Sequence, residues 1–229
     1  MGRVNNKVAL VTGGASGVGK ETVELLLKEG AYVAFGDIDV QAGEALAKAC
    51  GERALFLRHD VSNEAEWQEV IAKVQAHFGP LDILINNAGI LLPGSIETAT
   101  LAQFRQLMQV NADSCFLGCQ QGIAAMKERG GSIVNMASVS TWLPIEGYAG
   151  YSASKAAVAA LTRASALYCR KNGLAIRVNS LHPDGIYTPM MKATAPGVPE
   201  KYLLFDPKVN PKGRAIMPEH IAKVLLFLA

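Results

Sequence analysis

Residues 8–19 read V-A-L-V-T-G-G-A-S-G-V-G, and this stretch decides the fold. Val8 to Thr12 is an apolar run without helical period, the pattern of a strand buried on both faces. It runs into Thr12-Gly13-Gly14-Ala15-Ser16-Gly17-Val18-Gly19, after which the apolar residues take up helical spacing over 18–29. Glycines between a strand and a helix let backbone approach a pyrophosphate and leave helix N–H groups pointing at it. The spacing is GxxxGxG, not the GxGxxG of the usual dinucleotide fingerprint, and many glycine-rich loops are only tight turns. Context favours the cofactor reading, because a second strand, 32–37, follows and ends in Asp37. An acidic residue there can bind the adenosine ribose 2′-OH, and its charge would repel a 2′-phosphate. Neither Ser16 nor Ile38 supplies a cation, so NAD is expected over NADP. The plainer reading of Asp37 is a solvated strand end, as Asp39 nearby would be.

Outward from this unit the pattern repeats. Short apolar runs at 54–59, 83–86, 133–136 and 175–181 read as further buried parallel strands. Helical spacing fills 40–49, 63–77, 101–128 and 151–171. Asn63 with Glu66 three residues on is a plausible helix start, and Gly30, Gly79 and Gly173 stand where helices end. Strand–helix alternation predicts one α/β domain over 1–229, a doubly wound parallel sheet (Rossmann fold) with strand order 3-2-1-4-5-6.

Bulk properties exclude several classes of function. Half of the 229 residues are hydrophobic, 18% are charged and the net charge is +2, so a globular chain without nucleic acid or membrane as partner is expected. No apolar run reaches the length of a membrane span, and the start matches neither a signal peptide nor a myristoylation motif. Cys50, Cys115, Cys119 and Cys169 form no CxxC pair; Cys115 and Cys119 could share a helix face, but ordinary buried thiols in a reducing cytoplasm are the simpler reading. The four histidines lack HxxxH or HExxH spacing, and no metal site is expected.

The chemistry should sit beyond the carboxyl ends of the strands. Asp60 and Val61 end the third strand, placed to contact adenine. Asn86-Asn87-Ala88-Gly89 ends the fourth, where small residues permit close cofactor approach; a purely structural asparagine turn is the rival. Ser138 follows the fifth strand and belongs at the site by position, although many such serines are only caps. Asn111, inside the long predicted helix, is either a surface residue or a helix-bending group that binds water. Tyr151 and Lys155 stand four residues apart, on one helix face. An ammonium about 5 Å from a phenol, at an effective dielectric of about 20, favours phenolate by roughly 3 kcal/mol, about two pKa units. That would move the tyrosine towards a base working near neutral pH. Six tyrosines would produce about 0.4 such pairs by accident, so the pair carries weight only with its neighbours.

Together, Thr-Gly-x-x-x-Gly-x-Gly at 12–19, Asn-Asn-Ala-Gly at 86–89, Asn111, Ser138 and Tyr-x-x-x-Lys at 151–155 resemble the short-chain dehydrogenase/reductase family over essentially the whole chain. The segments 86–94 (NNAGILLPG), 118–128 (GCQQGIAAMKE) and 177–191 (RVNSLHPDGIYTPMM) resemble most its bacterial branch acting on 3β- and 17β-hydroxysteroids. That branch shares Pro183-Asp184-Gly185 where most of the family has Pro-Gly. The resemblance implies Tyr151 as general base on the alcohol or acid on the ketone. It implies Lys155 as the group that lowers the tyrosine pKa and binds the nicotinamide ribose, and Ser138 as the hydrogen-bonding partner of the substrate oxygen. Asn111 would hold a water linking Lys155 to solvent, and Thr188 would bind the nicotinamide carboxamide. Cofactor contacts are implied for Gly13, Ser16, Gly17, Val18, Gly19, Asp37, Asp60, Val61, Asn87, Ala88, Gly89, Tyr151, Lys155, Pro183, Ile186 and Thr188. A homo-oligomer, tetramer or dimer, is implied through the helices 101–128 and 151–171.

Two regions stand apart. Residues 189–217 hold five prolines with little periodicity and read either as a lid over an apolar ligand or as an irregular surface loop. The chain stops after a helix at 218–228, where the family usually continues into a seventh strand; a truncated record and a shortened protein both fit, with an open edge at the sixth strand and an uncovered helix face expected. The expected function is NAD-dependent interconversion of a secondary hydroxyl and a ketone on a steroid. The alternatives are the same chemistry on another secondary or cyclic alcohol, and a dinucleotide-binding protein without turnover.

Overall fold

The computed structural model describes residues 2–194 and 196–229. Val8–Thr12 (β1), Tyr32–Asp37 (β2), Ala54–Arg58 (β3), Ile83–Asn86 (β4), Gly131–Met136 (β5) and Ile176–Leu181 (β6) form a six-stranded sheet, every pair of neighbours parallel. Its order is β3-β2-β1-β4-β5-β6, as expected. Chain direction across the sheet reverses between β1 and β4, which opens a crevice beyond their carboxyl ends.

The strands are apolar throughout because both faces are covered. Successive side chains alternate sides. Leu10, Ala34, Leu84 and Ile133 face one core with Trp67, Val70 and Val74 of Glu64–Phe78 (α3), Leu117 of Ser114–Met126 (α5) and Val158 of Ala149–Lys171 (α6). Ala9, Val11, Val33, Phe35 and Ile83 face the other, with Val23 and Leu26 of Gly17–Lys28 (α1), Leu46 of Val40–Cys50 (α2) and Leu225 of Pro218–Leu228 (α9). Local signals agree with these boundaries: the Asn63 side chain accepts from Ala65 N–H, Asp39 accepts from Ala42 N–H, and Gly30, Gly79 and Gly173 take positive φ.

One expected element is built differently. The predicted helix 101–128 is Leu101–Leu107 (α4), a π-helical turn Met108–Asp113 and then α5. Period counting cannot separate one wide turn from an α-turn, and π turns occur mostly at functional sites. After β6, the aperiodic segment contains Pro189–Thr194 (α7) and Glu200–Leu203 (α8). Gly185–Ile186 (β7) pairs with Ala215–Ile216 (β8), so the segment leaves and returns at one place, and Arg214 Nε bonds Asp184 Oδ2 at 2.7 Å there. Among the described residues β6 is the last strand on its side of the sheet. The α9 end is held by Ser132 Oγ and Arg177 donating to the Leu228 carbonyl, both at 2.8 Å, while Phe227 is exposed. No helix of the described residues is long and apolar enough to cross a membrane.

Candidate active site

A cavity of about 560 Å³ lies over the β1/β4 crevice. Its floor is two strand-end loops locked together. Thr12 Oγ1 accepts from Asn87 N at 3.0 Å and Ala88 N at 3.1 Å, and Asn87 Nδ2 donates to the carbonyls of Thr12 at 3.0 Å and Gly13 at 3.1 Å. The structural reading of the asparagine turn is therefore realised in the Asn87 amide, while Asn87, Ala88 and Gly89 still line the cavity. Two glycines are required by this contact. Gly13 has φ +63°, and a Cβ there would stand 2.9 Å from Ala88 Cα; a Cβ on Gly19 would overlap the Gly13 carbonyl.

At one end of the cavity the Asp37 carboxylate accepts from Ala15 N at 3.0 Å and Asp39 N at 3.1 Å. Asp60 accepts from both N and Oγ of Ser62, and the hydroxyl bond holds its carboxyl below the usual range despite some burial. Gly13, Ser16, Gly17, Val18, Asp60, Val61, Pro183, Ile186 and Thr188 all line the cavity with Asp37. Gly19 does not; it serves by letting α1 start against Gly13.

At the other end Ser138, Tyr151 and Lys155 converge on the same cavity. Lys155 is buried, and its Nζ donates to the Met136 carbonyl at 2.8 Å while standing 5.7 Å from the Tyr151 ring centroid. Desolvation drops its pKa to about 8. Burial raises the Tyr151 pKa, with a hydrogen bond from Ser138 pulling the other way. The expectation that Lys155 lowers the tyrosine pKa is thus corrected for this structure. Burial disfavours the charged form of both groups, and the ammonium is aimed at a carbonyl rather than at the phenol oxygen.

Asn111 is buried in the π turn, which removes the surface reading. Its Oδ1 accepts from Ile90 N at 2.8 Å, and its Nδ2 donates to Ile90 O and Ser154 Oγ, both at 3.0 Å. It does not line the cavity. Gly89 links it to the site: a Cβ there would lie 3.0 Å from Asn111 Oδ1 and 3.4 Å from Lys155 Nζ. Sequence reasoning missed Ser154, Ile90 and the Met136 carbonyl, which orient these groups; two of them act partly or wholly through backbone atoms, which leave no residue-type signature. No cluster of three metal-ligating side chains occurs among the described residues.

A phenol, a serine hydroxyl and a buried ammonium beside a backbone-walled crevice can exchange a proton with a bound hydroxyl or carbonyl. The comparisons agree with that chemistry. The family model for short chain dehydrogenase matches residues 7–198. A 3-beta-hydroxysteroid dehydrogenase of Comamonas testosteroni is 67% identical over 99% of this chain and 90% of its own length. A 3-alpha-(or 20-beta)-hydroxysteroid dehydrogenase of Mycobacterium tuberculosis is 38% identical over all of this chain and 84% of its own. An NADP-dependent (R)-specific alcohol dehydrogenase of Lentilactobacillus kefiri is 35% identical over 99% of this chain and 90% of its own.

Proposed function

The chain belongs to the short chain dehydrogenase family, an oxidoreductase family using nicotinamide dinucleotides, and on that premise we propose that it oxidises a 3β- or 17β-hydroxysteroid to the ketone with NAD. The observation that carries this reading is the convergence of Ser138, Tyr151 and Lys155 on the cavity whose far end is rimmed by Asp37. The 67% identity to a 3-beta-hydroxysteroid dehydrogenase supports the steroid. In this reading Ser138 donates to the substrate oxygen and places it beside Tyr151, which takes the hydroxyl proton as the C–H hydride leaves. Lys155, its Nζ held by the Met136 carbonyl, holds the nicotinamide ribose. Asn111 keeps Ile90 and Ser154 in place and holds a water through which the proton reaches solvent. Thr188 binds the carboxamide. The nicotinamide, when bound, supplies the hydride acceptor; the protein supplies orientation and proton transfer.

Asp37 decides the cofactor. Its carboxylate would accept from the ribose hydroxyls and repel a 2′-phosphate, and Ile38 beside it offers no compensating cation. Purified protein given NAD and a 3β- or 17β-hydroxysteroid is expected to generate NADH absorbance. Asp37→Ala is expected to shrink the NAD-over-NADP ratio of kcat/KM by about tenfold or more, given the usual size of one charge contact. No turnover across a steroid panel overturns the substrate, and an unchanged ratio overturns the role of Asp37. Simple secondary and cyclic alcohols belong in the same panel.

We infer further that the 189–217 segment is the substrate lid of a single domain, on the strength of its closed base and of the exposed Tyr202 and Phe205 it carries. A cytoplasmic homo-oligomer, dimer or tetramer, is supported by four free cysteines and by exposed Leu101 and Phe104 on α4, Phe116 on α5, and Leu167 and Tyr168 on α6. Sedimentation at micromolar concentration should give a species of at least twice the chain mass; a monomer rejects the assembly.

A further inference from the structure

The Ser138–Val139 peptide is gripped at both of its polar ends by the two residues that follow β6. Val139 N donates to the Pro183 carbonyl at 2.9 Å. The His182 ring reaches the Ser138 carbonyl through Nδ1 at 3.2 Å and Ser180 Oγ through Nε2 at 2.9 Å. The grip continues the β5–β6 pairing, since Ala137 N already donates to the Leu181 carbonyl at 2.9 Å. Pro183 has no N–H to give, so the ladder loses a rung at that residue, and the His182 side chain supplies a bond to the next carbonyl instead. A carbonyl can only accept, so Nδ1 carries the hydrogen and, in the neutral ring, Nε2 accepts from the Ser180 hydroxyl. Trp142 lies flat on the imidazole, with centroids 4.2 Å apart and planes at 24°, and holds the ring in that plane.

Ser138 needs such restraint. It stands at an extended backbone position just before the short turn Val139–Thr141, its Oγ already accepts from Ser140 N at 3.2 Å, and its hydroxyl pulls the Tyr151 pKa down against burial. Its Oγ is anchored by Ser140 N, which lies just past the Ser138–Val139 peptide. A rotation of that peptide would carry Ser140 N away and release the Ser138 side-chain torsion, and misplacements of about 1 Å can cost about a hundredfold in rate.

We propose that His182 is a positioning residue of the reaction, fixing the Ser138–Val139 peptide so that Ser138 Oγ stays directed at the Tyr151 hydroxyl and the substrate oxygen. This rests on the catalytic reading of Ser138 given above. The test compares His182→Phe, which keeps a flat ring under Trp142 but loses both ring nitrogens, with His182→Asn, whose amide N–H stands where Nδ1–H stood. His182→Phe is expected to lower kcat about tenfold or more with the NAD KM little changed, and His182→Asn to recover most of the loss, since the bond and not the ring plane is what sets the geometry. In a Ser138→Ala background the same His182→Phe change should cost nothing further, because its effect runs through Ser138. An equal cost in both backgrounds, an unaltered kcat, or an Asn variant no better than Phe overturns the proposal. A fully active Ser138→Ala protein would instead overturn the reading of Ser138, and the role of His182 with it.

Discussion

Tyr151→Phe is expected to lower turnover by about a thousandfold, within the range that a positioned acid–base group contributes. Dinucleotide binding should be little changed, because the ring stays and only the hydroxyl is lost. A stopped or initial-rate assay beside a fluorescence titration with NADH separates the two. Retention of more than about a tenth of the rate would mean that another group moves the proton. The pH dependence follows from the direction of the shift. Burial raises the Tyr151 pKa above its ordinary 10.0. The basic form therefore grows with pH throughout the accessible range, so oxidation should be faster at pH 9 than at pH 7. Reduction uses the neutral phenol and should not gain. An oxidation rate flat across this interval would count against Tyr151 as the base.

Lys155→Met should abolish or nearly abolish turnover and at the same time stabilise the fold. The lysine is fully desolvated, and its pKa falls from 10.5 to about 8. Holding the charge at neutral pH therefore costs about 3 kcal/mol. Methionine removes that cost but leaves the Met136 carbonyl without its partner, which returns about 1–3 kcal/mol. The net gain is of the order of 1 kcal/mol, or about 2–4 °C in Tm for a chain of this size. The sign with pH is distinctive. Between pH 8 and 10.5 the unfolded chain binds a proton that the folded lysine has released, so native stability rises with pH, by about 2 kcal/mol relative to the Met variant between pH 8 and 10. Tyr151 works in the opposite sense, but only above about pH 10. Denaturant melts of both proteins across this window measure the difference. A Met variant less stable than the native protein at pH 7, or parallel pH profiles, would show that the Lys155 charge is better compensated than its burial suggests.

This opposition between stability and chemistry is consistent with the surroundings of the lysine. Its Nζ has the Met136 carbonyl as its hydrogen-bond acceptor, and a charged group kept so sparsely partnered in the interior is expensive. Gly89, Asn111 and Ser154 gather beside it, and the π turn is what puts the Asn111 amide there.

The sequence alone determined everything that depends on residue type at a fixed spacing. Apolar runs and periodic stretches set the six strands, their helices and the order of the sheet, because alternation of these elements admits few topologies. Glycines at 13 and 19, the acid at 37 and the Tyr151–Lys155 spacing marked the crevice and the group proposed to move the proton, because those positions demand particular side chains. Only the tertiary structure decided how the groups are tuned. Burial overrode the Coulomb argument for the tyrosine, since desolvation acts on both partners and spacing says nothing about the surrounding medium. The wide turn at 108–113 decided between the surface and helix-bending readings of Asn111 and made it a buried bracket. The Met136 and Ser138 carbonyls became partners of Lys155 and His182, and a backbone carbonyl is present at every residue, so no reading of the letters could single out those two.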